Sequence, residues 1–169
     1  MDMKKLLAIG ISSGIIGFAW TVGSFMLGLS TVAGFIAWSS FFAAGGNGMK
    51  GVKKALIANF SGTCWGIATS FLATPLIPLI GETGAIAATN GLGSCGIILQ
   101  SKFSLVSFIP AAFLGWSALI ASGMNFPITI ISLACGSFAG FASEILTDVI
   151  LKIMKYESKE EMVIDKAAV

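Results

Sequence analysis

The sequence predicts an all-α integral membrane protein. It should have six transmembrane helices arranged as a 3+3 inverted repeat, with both termini cytoplasmic. Three observations predict this. First, the chain of 169 residues is 56% hydrophobic and 11% charged, with a mean hydropathy of +0.93, whereas a soluble domain carries roughly 25% charged residues. Second, apolar runs of about 20 residues, each long enough to cross a bilayer, recur from end to end. Third, all ten basic residues are lysines, and six crossings put every one on the same side. Lysine and arginine are held in the cytoplasm during insertion, so the bias sets orientation. Five crossings would scatter the lysines over both faces.

The elements follow in order. Lys4 and Lys5 precede the first helix, residues 6–28. This start resembles a secretory signal, but the apolar run continues and no small-x-small cleavage site closes it, so it reads as an uncleaved helix. The second helix, residues 29–44, is short. A glycine-rich cytoplasmic connection, residues 45–51, leads with Lys50, Lys53 and Lys54 into a third helix that starts near Val52 and ends around Pro75 and Pro78. Residues 81–84 turn outside. The fourth helix covers 85–100, Ser101 and Lys102 turn inside, and the fifth covers 103–122. Residues 123–127 turn outside, with Pro127 suited to the first turn of the sixth helix, which runs to about Lys155. Residues 1–155 thus form one membrane domain with halves at about 6–80 and 81–155. Residues 156–169 form a charged cytoplasmic tail.

The halves share sequence. Residues 35–45 (FIAWSSFFAAG) align with 113–123 (FLGWSALIASG), with five of eleven positions identical. Further on, Ile57, Gly62, Gly66 and Ala68 align with Ile131, Gly136, Gly140 and Ala142. The offset is 78 in the first block (35 to 113) and 74 in the second (62 to 136), so four residues are missing from the later copy. They come from the stretch holding Lys50, Lys53 and Lys54. Helices two and three therefore match five and six. A unit of three helices enters the membrane in opposite orientations on its two appearances, and basic residues would oppose insertion of the second copy's loop.

Gly10/Gly14, Gly62/Gly66 and Gly136/Gly140 are GxxxG pairs, whose spacing lets another backbone approach closely. They are expected to pack helices, within the protomer or between protomers. Trp38 and Trp116 are matched tryptophans well inside their helices, where an indole needs a slot or a partner for its N–H. They read either as packing against glycine faces or as lining a narrow path, with Phe41 and Phe42 adding bulk. Ser39 and Ser117 follow them; their hydroxyls serve a polar solute or their own backbone. Asn59 and Asn90 are amides deep in predicted spans that require a neighbour, water or solute. Glu144 and Asp148 share a face with Lys152 and Lys155 and read as a solvated helix end; a deeper Glu144 would be an ion or proton site. Cys64, Cys95 and Cys135 lie singly within spans and read as small packing residues.

Other function classes are disfavoured. The chain has no histidine, and no nucleophile–base pair, metal cluster or phosphate loop is visible. The glycine-rich residues 45–51 lack the GxxxxGK[ST] spacing. No enzyme activity, cofactor or metal is expected, and a net charge of +2 does not argue for nucleic acid.

The runs at 33–51 (AGFIAWSSFFAAGGNGMKG), 61–66 (SGTCWG) and 107–115 (SFIPAAFLG) resemble the YcdZ-like family of small bacterial inner-membrane proteins, a family of unknown function. The chain departs from it in having Pro110-Ala111 where members tend to have Pro-Gly. The resemblance implies a polytopic bacterial membrane protein and supplies no substrate. From the residues, the expected function is a small-solute channel or facilitator, with Trp38, Ser39, Phe41, Asn59, Asn90, Trp116 and Ser117 lining a path at the repeat interface. The alternative is a scaffold or accessory subunit docking a partner through its glycine faces and tail. The expected partners are the lipid bilayer, a small polar solute and further copies of the chain.

Overall fold

A computed structural model describes the backbone of residues 3–167 and the side chains of residues 3–154. It contains six α-helices: α1 (Met3–Met26), α2 (Thr31–Ala43), α3 (Gly48–Ala73), α4 (Ile77–Gln100), α5 (Ile109–Ala121) and α6 (Phe126–Ala167). Single 3-10 turns lie at Thr74–Leu76 and Ser104–Val106. Among the described residues there is no strand. The backbone stays helical through most of the charged tail, whose side chains lie outside the described residues.

Three continuous stretches are long and apolar enough to cross a membrane: Met3–Met26, Gly48–Gln100 and Phe126–Met154. The middle one, 53 residues, is a folded hairpin. Pro75 and Pro78 each remove an amide donor, and Gly81, at φ 74° and ψ 164°, breaks the helical path. Beyond it α4 returns along α3, so that Thr69 meets Gly93 and Trp65 meets Gly96.

α2 and α5 are only 13 residues each. At 1.5 Å per residue they rise about 20 Å, short of the ~30 Å hydrocarbon core. The sequence assigned them 16 and 20 residues (29–44 and 103–122), and the difference has local causes. Ser30 caps the α2 start by accepting from the Ala33 N–H at 3.2 Å, and its own N–H donates to Ser132 Oγ of α6 at 2.9 Å. Phe103 is extended, and Pro110 in the first turn of α5 favours an extended or turn residue before it. Both helices stop the same way. Gly46 (φ 62°) donates its N–H to Phe41 O, and Met124 (φ 62°) donates its N–H to Leu119 O, the six-to-one bond of a Schellman ending.

The connection before α3 is also shorter than expected. α3 begins at Gly48, so Lys50, Lys53 and Lys54 lie in its first two turns, not in a loop. α6 begins at Phe126 with Pro127 in its first turn, as expected, and Asn125 Oδ1 accepts from the Ile128 N–H at 3.1 Å.

α2, α3, α5 and α6 form the centre of the bundle. α3 packs chiefly on α5 and α2 on α6, while α1 flanks α6 and α4 flanks α3. In lipid, exposure of large apolar side chains carries no penalty, so close packing of small residues does the joining. A Cβ on Gly62 would collide with the Ala112 carbonyl, and one on Gly136 with the Gly34 backbone. Gly66 abuts Trp116 and Leu119; Gly140 abuts Trp38 and Phe41. The residues of each pair of contacts stand at positions related by the same two offsets, 78 and 74. Gly10 and Gly14 differ. Nothing lies within 4 Å of where their Cβ atoms would be, because α1 turns Ala8, Ser12, Trp20 and Ser24 inward. Their expected packing is not made within the protomer.

Candidate solute groove

The register of α4 creates the site. Ala85, Thr89, Gly93 and Ile97, four residues apart, face inward, which leaves Asn90 and Ser94 on the flank turned toward α5. There they meet Phe113, Trp116, Ser117 and Ile120 around a cleft of about 190 Å³. The cleft continues between α3, α4 and α5 as a second chamber of about 220 Å³, lined by Thr69, Ser70, Ala73, Ile86, Thr89, Asn90, Trp116, Ile120 and Met124. Shared Asn90, Trp116 and Ile120 make the two one groove. The second chamber lies beside the ends of α3 and α5, away from the lysines at the start of α3.

Its polar groups are of two kinds. The hydroxyls of Thr69, Ser70, Thr89 and Ser117 donate to carbonyls of their own helices at 2.9–3.0 Å, leaving lone pairs to accept from a guest. The Asn90 amide, the Ser94 hydroxyl and the Trp116 indole N–H have no hydrogen bond within the described residues. No ionisable side chain is in the lining.

Of the residues expected on the path, the structure brings Asn90, Trp116 and Ser117 together. It places the others elsewhere. Trp38 is buried against Gly140 and stacks on Phe35 with ring centroids 5.8 Å apart. Phe41 is fully buried with Val52 and Ala55. Ser39 lies on an exposed face, donating to Phe35 O at 3.0 Å. Asn59 is fully buried at the crossing of α2, α3 and α5. Its Oδ1 accepts from Ser40 Oγ at 3.0 Å, and its Nδ2 has no partner. Thr63, one turn on, donates to Asn59 O and Gly115 O.

Glu144 is engaged with the backbone. Both carboxylate oxygens accept backbone N–H bonds, Oε1 from Asn47 at 2.9 Å and Oε2 from Gly48 at 2.8 Å. Asn47, at φ 73°, makes no side-chain cap of its own, so α6 supplies the anion that a helix N-terminus favours.

The sequence reading missed three features. Thr69, Ser70 and Thr89 join the lining only because α4 folds back on α3. Ser94 could have been found from its i, i+4 spacing to Asn90. Gln100 Oε1 accepts from Ser61 Oγ at 2.6 Å and Trp65 Nε1 at 2.9 Å, a three-residue lock between α3 and α4 with no local sequence signal.

Residues 10–148 match the model of a protein family of unknown function, DUF1097. The chain belongs to the DUF1097 family. It is 35% identical over 150 residues to the uncharacterized protein YahC of Escherichia coli K12, covering 84% of this chain and 90% of that one. It is 30% identical over 140 residues to the inner membrane protein YcdZ of the same organism (83% and 84% covered) and to YcdZ of Salmonella typhimurium (83% and 86%). No solved structure matches the chain.

Proposed function

We propose that this DUF1097 member is a facilitator of a small, neutral, polar solute in the bacterial inner membrane, with both termini cytoplasmic. The observation that carries the reading is the groove, where Asn90, Ser94 and Trp116 present unpaired polar groups in an uncharged, partly apolar cleft. Pockets for drug-sized ligands run to roughly 300–1,000 Å³, and the two joined chambers reach only the low end of that range, so the guest is small. The absence of ionisable lining argues for a neutral solute, and the engagement of Glu144 argues against coupling to protons. The relatives named inner membrane proteins support the location. The lysine bias supports the orientation. The parallel between Gly62 against Ala112 and Gly136 against Gly34, and between Gly66 against Trp116 and Gly140 against Trp38, supports the inverted repeat, and repeats of this kind place solute sites at their interface.

Stopped-flow flux in proteoliposomes over a panel of small amides, polyols and weak acids tests the reading. Faster flux of at least one neutral solute than in empty vesicles is expected, with W116A and N90A each cutting the excess by roughly tenfold, the scale of one or two lost hydrogen bonds. Equal rates in loaded and empty vesicles across the panel overturn it.

A further inference from the structure

The two ends of the bundle are built from residues at matching positions but are not in the same condition. The buried positions of α1 (Ala8, Ser12, Trp20) and of α4 (Ala85, Thr89, Ile97) share one spacing, which pairs Ser12 with Thr89. The 74-residue offset that pairs Gly62 with Gly136 also pairs Thr69 with Ser143, Ser70 with Glu144, and Ala73 with Thr147. Trp38 pairs with Trp116. Thr69, Ser70, Ala73, Thr89 and Trp116 all line the open groove. Their counterparts at the lysine end are shut together. Ser12 Oγ and Thr147 Oγ1 are hydrogen-bonded at 2.6 Å, Ser143 is fully buried, and Glu144 ties α6 to the first amides of α3. Among the described residues, no such tie spans the groove: Ser70 bonds its own helix, and Asn125 caps α6 from within its own turn.

Resting on the facilitator reading, we infer that the lysine end holds a second half-site for the same neutral solute, lined by Ser12, Ser143 and Thr147 beneath Trp38. The Ser12–Thr147 bond and the Glu144 tie keep it closed while the groove is open. The protein then works by exchanging the conformations of its two halves, one end opening as the other closes. A ligand moves such an equilibrium only through its differential affinity for the two states, and here hydroxyls at matching positions, Thr69 and Thr89 at one end and Ser143 and Ser12 at the other, offer the solute polar contacts in each.

The test uses the full chain with Cys64, Cys95 and Cys135 replaced by alanine, and two separate single-cysteine reporters. S143C reports the lysine end and S70C the groove. Each is labelled with a membrane-impermeant maleimide in vesicles of known orientation, from the side its end faces. With Glu144 intact, S70C reacts and S143C does not. E144Q and E144A both raise S143C labelling by about tenfold or more, the scale of a lost bond to a charged acceptor, and lower S70C labelling in the same preparation. An S12C/T147C pair oxidised to a disulfide restores the original pattern in either variant. Unchanged labelling at both reporters overturns the inference. A rise at both together also overturns it, because that is loosening rather than exchange. Reciprocal labelling without flux of any panel solute retains the exchange and removes the facilitator; flux without reciprocal labelling does the reverse.

Discussion

Gly62 and Gly136 sit where one helix backbone rests on another, and a methyl group at either position has nowhere to go. G62A and G136A are each expected to cost about 1–3 kcal/mol through forced separation of the helices, read as lowered thermal stability in detergent. G10A and G14A are expected to be neutral or to gain up to about 1 kcal/mol of helix propensity. If those two glycines instead join protomers, the same variants lower the oligomer on native gels without lowering monomer stability. Asn59 offers a sharper case. Ser40 has one hydroxyl proton and two acceptors at 3.0 Å, Ile36 O and Asn59 Oδ1, and Asn59 Nδ2 is unpartnered. At the matched positions of the other half stand Ala118 and Leu133, in an apolar cluster. N59A alone should lose about 1–3 kcal/mol by opening space in the core, while Ser40 keeps Ile36 O as its acceptor. The S40A/N59L double variant, which copies the other half, should recover most of it. A double variant less stable than N59A would show that the polar pair holds the crossing together.

At the scale of elements, Glu144 and Gln100 are the connectors that sequence pattern could not show. E144A should speed amide exchange through residues 47–51 by about tenfold or more, because Glu144 is the acceptor for the Asn47 and Gly48 amides. Q100A should leave Ser61 and Trp65 without an acceptor and cost about 1–3 kcal/mol, again measured as thermal stability. Much of each helix was legible. The apolar runs located α1, α3 and α4; Pro127 located the start of α6. What was not legible depended on partners far along the chain. The α3 start moved from Val52 to Gly48 because its cap comes from residue 144, and α5 shortened because the backbone from Phe103 to Phe108 leaves the helical path before Pro110. The groove was half legible. Asn90, Trp116 and Ser117 stood out as polar or aromatic residues within apolar runs, but Thr69 and Thr89 look like ordinary helical hydroxyls until the Gly81 break folds one helix onto the other. Trp38 and Asn59 stood out for the same reason as Trp116, and the core claimed them.

At the scale of the molecule, the pairing of helices is reciprocal: α2 rests on α6 and α5 on α3. α1, the first helix of the chain, leans on α6, its last. Neither run of three helices therefore has its own interior; each supplies the wall the other lacks. During synthesis the early helices must wait in lipid for α6 to arrive, and the bundle closes only at the end. Two polypeptides divided near Gly81 should accordingly be degraded when made singly in cells. Co-expressed, they should assemble into a complex that co-purifies through a tag on either one. A lone N-terminal piece that survived as a compact, protease-resistant unit would mean the halves merely dock. On the inverted repeat proposed above, the interlock also bears on ancestry: a single three-helix unit would close only around a second copy inserted the other way up, so dual insertion would precede the joining of the two units into one chain.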